Sequence, residues 1–199
     1  MFDDAFRARF QPAVTPLVAW LARAGVTPNA ITLTTFVVAL VGAVTVATVD
    51  PRAGVVIWLI SRVGDGLDGA LARVTGLTSA FGGFLDITLD MTAYSTMVVA
   101  FAVVYPEYAM GWMTVLAGYV IVITTTLALS DAARAVGADL GATDRTFQFT
   151  RGITEAGETN VVYAIWAFLP AVLPWAIWLW AAALLVTGAQ RMILARRTL

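Results

Sequence analysis

Asp65 and Asp68 stand three residues apart, and Asp86 and Asp90 four apart, within the stretch DGLDGALARVTGLTSAFGGFLDITLD. Spacings of three and four put side chains on one face of a helix, so each pair presents two carboxylates in one direction. Two adjacent antiparallel helices carrying these pairs would gather four acids into one cluster. Such a cluster cannot stay fully ionised while empty, because like charges at close range disfavour one another. Hard divalent cations relieve that repulsion, and Mg²⁺ favours carboxylate together with phosphate oxygens. The chemistry indicated is metal-assisted reaction at a phosphate.

The surroundings of these acids are apolar. The chain has 199 residues, 60% hydrophobic and 13% charged, with a mean hydropathy of +0.83. A soluble domain of this size could not hide so much apolar surface, whereas lipid can. Carboxylates at membrane depth are costly and normally functional. The absence of cysteine excludes disulfides and thiolate metal sites, and the absence of histidine excludes an imidazole base or ligand. All 12 basic residues are arginine, so a Schiff-base lysine is excluded as well. Acid–base and metal work falls to Asp, Glu, Tyr or Arg. A net charge of −1 and no basic stripe give no sign of a nucleic-acid partner. The opening MFDDAFRARFQPAV lacks the basic-then-apolar order of a cleaved signal peptide.

The elements that must position the acids follow from hydropathy and breakers. Residues 1–24 form an interfacial amphipathic segment. Phe2, Phe6, Phe10, Val14, Leu17, Trp20 and Leu21 recur near helical spacing among polar residues, with Pro12 and Pro16 interrupting. Residues 25–199 form one six-span membrane domain with no internal repeat. Thr27-Pro28-Asn29 starts the first span, Ala30 to Val49, and Asp50-Pro51-Arg52 makes the turn. The second span runs from Ala53 to Arg73 and carries Arg62, Asp65 and Asp68 in its last third. After a short link with Thr78 or Ser79 as N-cap, the third runs from Ala80 to Val104, with Asp86 and Asp90 in its opening turns. Tyr105-Pro106-Glu107 closes it, and the fourth runs from Tyr108 to Ser130. Pro170 and Pro174 divide the remaining apolar stretch into a fifth span, Phe149 to Leu169, and a sixth, Trp175 to Ile193. The tryptophans from Leu169 to Trp180 read as an interfacial aromatic belt.

Arginine sets the expected orientation. Arg7, Arg9, Arg23, Arg73, Arg134, Arg145, Arg151, Arg191, Arg196 and Arg197 flank spans on one side, against Arg52 alone on the other. The positive-inside rule then makes both termini cytoplasmic; the expected location is a bacterial or archaeal cytoplasmic membrane. The acid pairs sit at the ends of their spans nearest that side, within reach of both lipid and water.

The full spacing is Asp65, two residues, Asp68-Gly69, two residues, Ala72-Arg73, eight residues, Gly82, three residues, Asp86, three residues, Asp90. It resembles the signature of the CDP-alcohol phosphotransferase (CDP-alcohol phosphatidyltransferase) family at every defined position. The six spans and the preceding N-terminal segment also look like that family, so the resemblance covers essentially the whole chain. The fold it implies is an all-α integral membrane protein, a six-transmembrane-helix bundle preceded by an N-terminal interfacial amphipathic helix. The activity it implies is transfer of a substituted phosphoryl group from a CDP-linked donor, usually CDP-diacylglycerol, to a polar alcohol with release of CMP. Mg²⁺ or Mn²⁺, two ions, and a homodimer are implied with it.

The resemblance also distributes roles. Asp65, Asp68 and Asp86 correspond to the family's metal-holding aspartates, and Asp90 to its last aspartate, a general base, a ligand of a second metal, or both. Asn29, Asp65, Gly69, Ala72, Arg73 and Gly82 correspond to the nucleotide and diphosphate site. Physical chemistry agrees with this. Gly69, Ala72 and Gly82 are small where a nucleotide must approach a helix, and Arg73 is a planar, permanent phosphate donor set. Gly64, Gly66 and Gly83, outside the motif, read as close helix packing. Arg62, one turn before Asp65, either neutralises the acids or contacts substrate.

The acceptor is the open question. Arg134, Arg145, Arg151, Glu155 and Glu158 fall where a soluble alcohol would arrive from the cytoplasm. A phosphorylated acceptor, as in phosphatidylglycerophosphate or phosphatidylinositol-phosphate synthesis, would rely on the arginines. A neutral polyol or amino alcohol would rely on the glutamates, and two acids beside a phosphate site favour that case. The rival from another class, a cation transporter or channel, predicts acids spread through the bilayer. Here the main cluster lies at one side.

Overall fold

The computed structural model describes residues 15–138 and 154–199, and its elements there are helices with no strand. They fall into two compact units, Met1–Ala100 and Phe101–Leu199. Most of the interfacial segment expected at 1–24 lies outside the described residues. Its described end is a helix, α1, at 15–23, with Trp20 exposed and Val18 buried.

The first unit continues with α2 (Pro28–Thr48), α3 (Pro51–Thr75) and the greater part of α4 (Ala80–Val104). Each starts on a local signal. The Thr27 hydroxyl accepts from the Ala30 N–H at 3.3 Å, with Pro28 in the first turn where no N–H is needed. Asp50 Oδ1 accepts from the Ala53 N–H at 2.9 Å, and Pro51 follows it. Of the two candidates for the α4 cap, Ser79 is the one that accepts a helix N–H, from Gly82 at 3.0 Å. Gly76, at φ 69°, ends α3 in the left-handed conformation that glycine adopts without steric cost.

A two-residue link returns α3 alongside α2, and the helices meet through glycine. A Cβ on Gly54 would lie 2.5 Å from the backbone nitrogen of Val46, and one on Gly42 2.9 Å from the Gly54 carbonyl oxygen. Such backbone-to-backbone contact maximises dispersion where lipid supplies no hydrophobic drive between helices. Gly64 continues the seam, since its Cβ would meet the Thr35 methyl at 2.6 Å. The packing expected of Gly64 is therefore present. That expected of Gly66 is not, for nothing among the described residues lies within 4 Å of a Cβ placed there.

The second unit holds α5 (Ala109–Val136), α6 (Ala156–Phe168) and α7 (Leu173–Thr198), with single 3-10 turns at Pro106–Tyr108 and Pro170–Val172. Phe101, Trp112, Tyr163 and Trp166 form its aromatic core, with ring centroids 5.0 to 6.0 Å apart. Tyr119 and Tyr163 join their hydroxyls at 3.0 Å, and the indole N–H of Trp180 donates to Tyr119 at 3.2 Å. That corrects the aromatic-belt reading for Trp180, which is a buried donor; Trp175 and Trp178 remain exposed.

Among the described residues, four helical stretches are long and apolar enough to cross a membrane: Pro28–Thr48, Ala80–Val104, Pro106–Val136 and Pro170–Thr198. α3 has 25 residues, roughly 37 Å at 1.5 Å per residue, yet its five charges lower its hydropathy. The fifth expected span differs more. Thr154 and Glu155 are not helical, so the helix begins at Ala156 and has 13 residues, about 20 Å, rather than running on from Phe149. The fourth extends past Ser130 to Val136 and stops at Gly137, φ 66°.

Candidate functional site

The last third of α3 and the opening turns of α4 bring their acids together. One carboxylate oxygen each from Asp65, Asp68 and Asp86 lies within 4.8 Å of the others. Asp65 and Asp68 are half-buried and Asp86 is exposed, so the cluster opens to its surroundings on the α4 side. Three converging carboxylates form a set of hard oxygen donors, a fit for a divalent cation that keeps positions free for phosphate oxygens or water.

Asp68 is steadied by α2, where Thr32 Oγ1 donates to its Oδ2 at 2.6 Å. The fourth acid is held differently. Arg62 Nη1 donates to Asp90 Oδ1 at 2.5 Å and lies 4.0 Å from Asp65 Oδ2. Thr32, Thr35, Phe36, Arg62, Asp65, Leu89 and Asp90 line a small recess there. Asp90 is thus beside the other three acids but paired with an internal cation. Of the two roles considered for Arg62, charge neutralisation has a geometric partner here.

The residues expected around a nucleotide share this neighbourhood. Gly69 faces the Arg73 guanidinium, whose Nη1 would lie 3.4 Å from an added Cβ. Gly82 is bounded by Ser79 Oγ at 3.1 Å and Asn29 Oδ1 at 3.2 Å from such a Cβ, so Asn29 of α2 abuts the start of α4. Gly66, Gly69 and Arg73 fall on one strip of α3 by their spacing of three and four. Gly66 is open there, Arg73 is exposed, and Ala72 beside them is half-buried. The strip is open at Gly66, and the Arg73 guanidinium lies over it at Gly69.

The residues expected to meet the acceptor are in the second unit or outside the described residues. Arg145 and Arg151 lie outside them. Arg134 is exposed in the last turn of α5. Glu155 is the N-cap of α6, and Glu158 Oε2 accepts from the Glu155 N–H at 3.2 Å, forming a capping box. Glu158 therefore has a local structural task that helical spacing alone did not reveal. Arg191, counted from sequence among the flanking charges, is buried, and its Nη1 donates to the Val122 carbonyl oxygen at 2.8 Å.

Thr32, and the aromatic pair Trp58 and Tyr94 behind Arg62, were missed by sequence reasoning. Thr32 bore no spacing relation to the acids. The aromatic pair carried only a faint signal, Trp58 standing one turn before Arg62 and Tyr94 one turn after Asp90.

Comparison with known proteins bears on the whole chain. The family model for CDP-alcohol phosphatidyltransferase matches residues 25–194. The inner membrane protein YnjF of Escherichia coli is 33% identical over 86% of this chain and 84% of its own length. The phosphatidylinositol phosphate synthase of Streptomyces avermitilis is 30% identical over 99% of this chain and 83% of its own. Crystal structures of the Mycobacterium tuberculosis phosphatidylinositol phosphate synthase, one with manganese and citrate and one with CDP-DAG bound, superpose with TM-scores of 0.67 at 24% identity. They cover 92% of this chain, and 89% and 94% respectively of their own. At that identity the structural likeness is one of fold.

Proposed function

This chain belongs to the CDP-alcohol phosphatidyltransferase family of integral membrane enzymes, and from that premise we propose that it transfers a phosphatidyl group from CDP-diacylglycerol to a polar alcohol, with divalent metal ions as cofactor. The observation that carries the reading is the convergence of Asp65, Asp68 and Asp86 within 4.8 Å beside the open strip of α3. The manganese and the CDP-DAG bound in the mycobacterial neighbour support it. Membership of an enzyme family displaces the cation-transport reading.

In the proposed reaction the alcohol oxygen forms a bond to the phosphatidyl phosphorus and the bridging P–O bond to CMP breaks. The alcohol proton passes to Asp90, and CMP leaves. Asp65, Asp68 and Asp86 would hold divalent ions, two Mg²⁺ or Mn²⁺ in this reading, and Asp90 would serve as base and as a ligand for the second. Metal there would neutralise the diphosphate and stabilise the departing CMP. Gly69, Ala72 and Gly82 admit the nucleotide closely, Asn29 borders it, and Arg73 donates to phosphate.

The active site faces the cytoplasm from a six-span domain at 25–199, with residues 1–24 along the interface and a homodimer as the working state. Single cysteines near Arg134, in a protein that has none of its own, should be labelled only once the inner membrane face is exposed. Labelling from outside in intact cells would reverse the orientation.

Acceptor choice has a second reading. The capping of α6 gives Glu158 a structural task, so its presence there is no longer by itself a sign of a neutral acceptor. The Streptomyces relative is named for phosphatidylinositol phosphate synthesis. Together they favour a phosphorylated polyol bound by Arg134, Arg145 and Arg151 over a neutral alcohol bound by Glu155 and Glu158. Purified enzyme incubated with CDP-diacylglycerol, Mg²⁺ and a panel of phosphorylated and neutral alcohols, with CMP release followed, decides between them. No CMP with any alcohol, or equal turnover in excess EDTA, would refute the proposed reaction.

A further inference from the structure

Arg62 occupies a cradle that serves a cation. Behind it the guanidinium carbon lies 4.6 Å from the Trp58 ring centroid and 5.5 Å from that of Tyr94. These two buried rings meet edge to face at 5.1 Å. Nε donates to Ser61 Oγ at 3.2 Å, and Ser61 in turn donates to the Trp58 carbonyl at 2.6 Å. In front, Nη1 reaches Asp90 at 2.5 Å and Asp65 at 4.0 Å, and only 7% of the side chain is exposed. Aromatic faces attract a cation, more strongly when it is desolvated. Guanidinium stays charged at any working pH.

The four acids are therefore divided. Asp65, Asp68 and Asp86 converge on one point, while Asp90 already has a permanent positive partner. A divalent ion shared by Asp90 and Asp65 would need oxygen ligands at about 2.0–2.1 Å if it were Mg²⁺. Nη1 lies within 4.0 Å of both of those carboxylates, and a second cation brought to them would be repelled by it.

Resting on the divalent-metal reading of this site, we propose that Arg62 is a built-in counter-ion of Asp90 with which a second divalent ion must compete. The site then loads one ion tightly on Asp65, Asp68 and Asp86, and a second at Asp90 only weakly while Arg62 holds it. The arrangement keeps the base arm charge-balanced inside the membrane before donor arrives, where an unpaired buried carboxylate would be costly.

The test is Mn²⁺ titration of the purified full chain in nanodiscs without substrate, read by electron paramagnetic resonance and calorimetry. Wild type should bind one ion, with a second at least about tenfold weaker, the size expected of losing one charge-assisted hydrogen bond. Arg62→Gln should strengthen the second ion about tenfold or more and leave the first nearly unchanged, with circular dichroism reporting the fold. Arg62→Lys, which keeps the charge, should preserve the wild-type gap. Two ions of equal affinity in wild type, or a gap that Arg62→Gln leaves intact, would overturn the role of Arg62 while leaving the metal site standing. If Arg62→Gln does not fold, Arg62→Met, uncharged and of similar length, takes its place with the same expected narrowing of the gap and the same overturning result. Absence of Mn²⁺ binding in wild type would instead bring down the metal reading, and this inference with it.

Discussion

Thr32 of α2 donates a 2.6 Å hydrogen bond to Oδ2 of Asp68 on α3, tying the acid cluster to a helix that contributes none of its acids. The contact exists because α2 and α3 approach through Gly42, Gly54 and Gly64, close enough for a short hydroxyl side chain to bridge them. Partners of this kind orient metal-holding carboxylates, and their loss typically costs 10–100-fold in metal affinity.

Thr32→Val, which keeps the shape and removes the donor, should therefore weaken Mn²⁺ binding by at least about tenfold. Thr32→Ser should restore most of it. Calorimetric titration of both variants checks this, and unchanged affinity in the valine variant would make the bond incidental.

The acids should separate by phenotype. Asp65→Asn, Asp68→Asn and Asp86→Asn should lose Mn²⁺ and CDP-diacylglycerol binding together, because the anionic diphosphate meets the acids only through cations. Asp90→Asn should keep donor binding while kcat falls about 10²–10⁴-fold, the usual loss for a positioned base. Donor affinity and single-turnover CMP release measure the two effects. Near-normal turnover in Asp90→Asn would remove it from the base role.

Two glycines of α3 should behave oppositely. Gly54→Ala places a methyl 2.5 Å from the Val46 backbone, an overpacking that costs about 1–3 kcal/mol and should lower the unfolding midpoint in detergent. Gly66→Ala meets open space and should leave that midpoint unchanged or slightly raised. Any activity loss in Gly66→Ala would then report crowding of the ligand strip, visible as a higher KM for the CDP donor.

Glu158 allows its folding task to be separated from an acceptor task. Gln serves the third position of a capping box as well as Glu does, so Glu158→Gln should keep stability while removing charge. Glu158→Ala should lose the cap, at about 0.5–2 kcal/mol if it behaves like other cap losses. A higher KM for the alcohol in Glu158→Gln, with the donor KM unchanged, would assign the carboxylate to the acceptor. Unchanged kinetics would leave it as a cap alone.

Much of the molecule was legible without coordinates, wherever the signal is local. Thr27 and Ser79 cap helices because a short oxygen-bearing side chain reaches the third following N–H. Pro170 follows the end of α6 and Pro174 sits in the first turn of α7, because proline has no backbone N–H to give a helix interior. The pairing of Asp65 with Asp68, and of Asp86 with Asp90, on single helix faces follows from helical periodicity alone. What no local rule could reach is partner choice between helices. That Asp90 turns to Arg62 instead of joining the other three acids, that Thr32 joins Asp68, and that Trp180 and Arg191 are buried all depend on which faces of the helices meet. In the first unit, backbone contact at Gly42 and Gly54 sets that meeting. The residues it brings together are tens of positions apart in the chain, and nothing in their spacing links them.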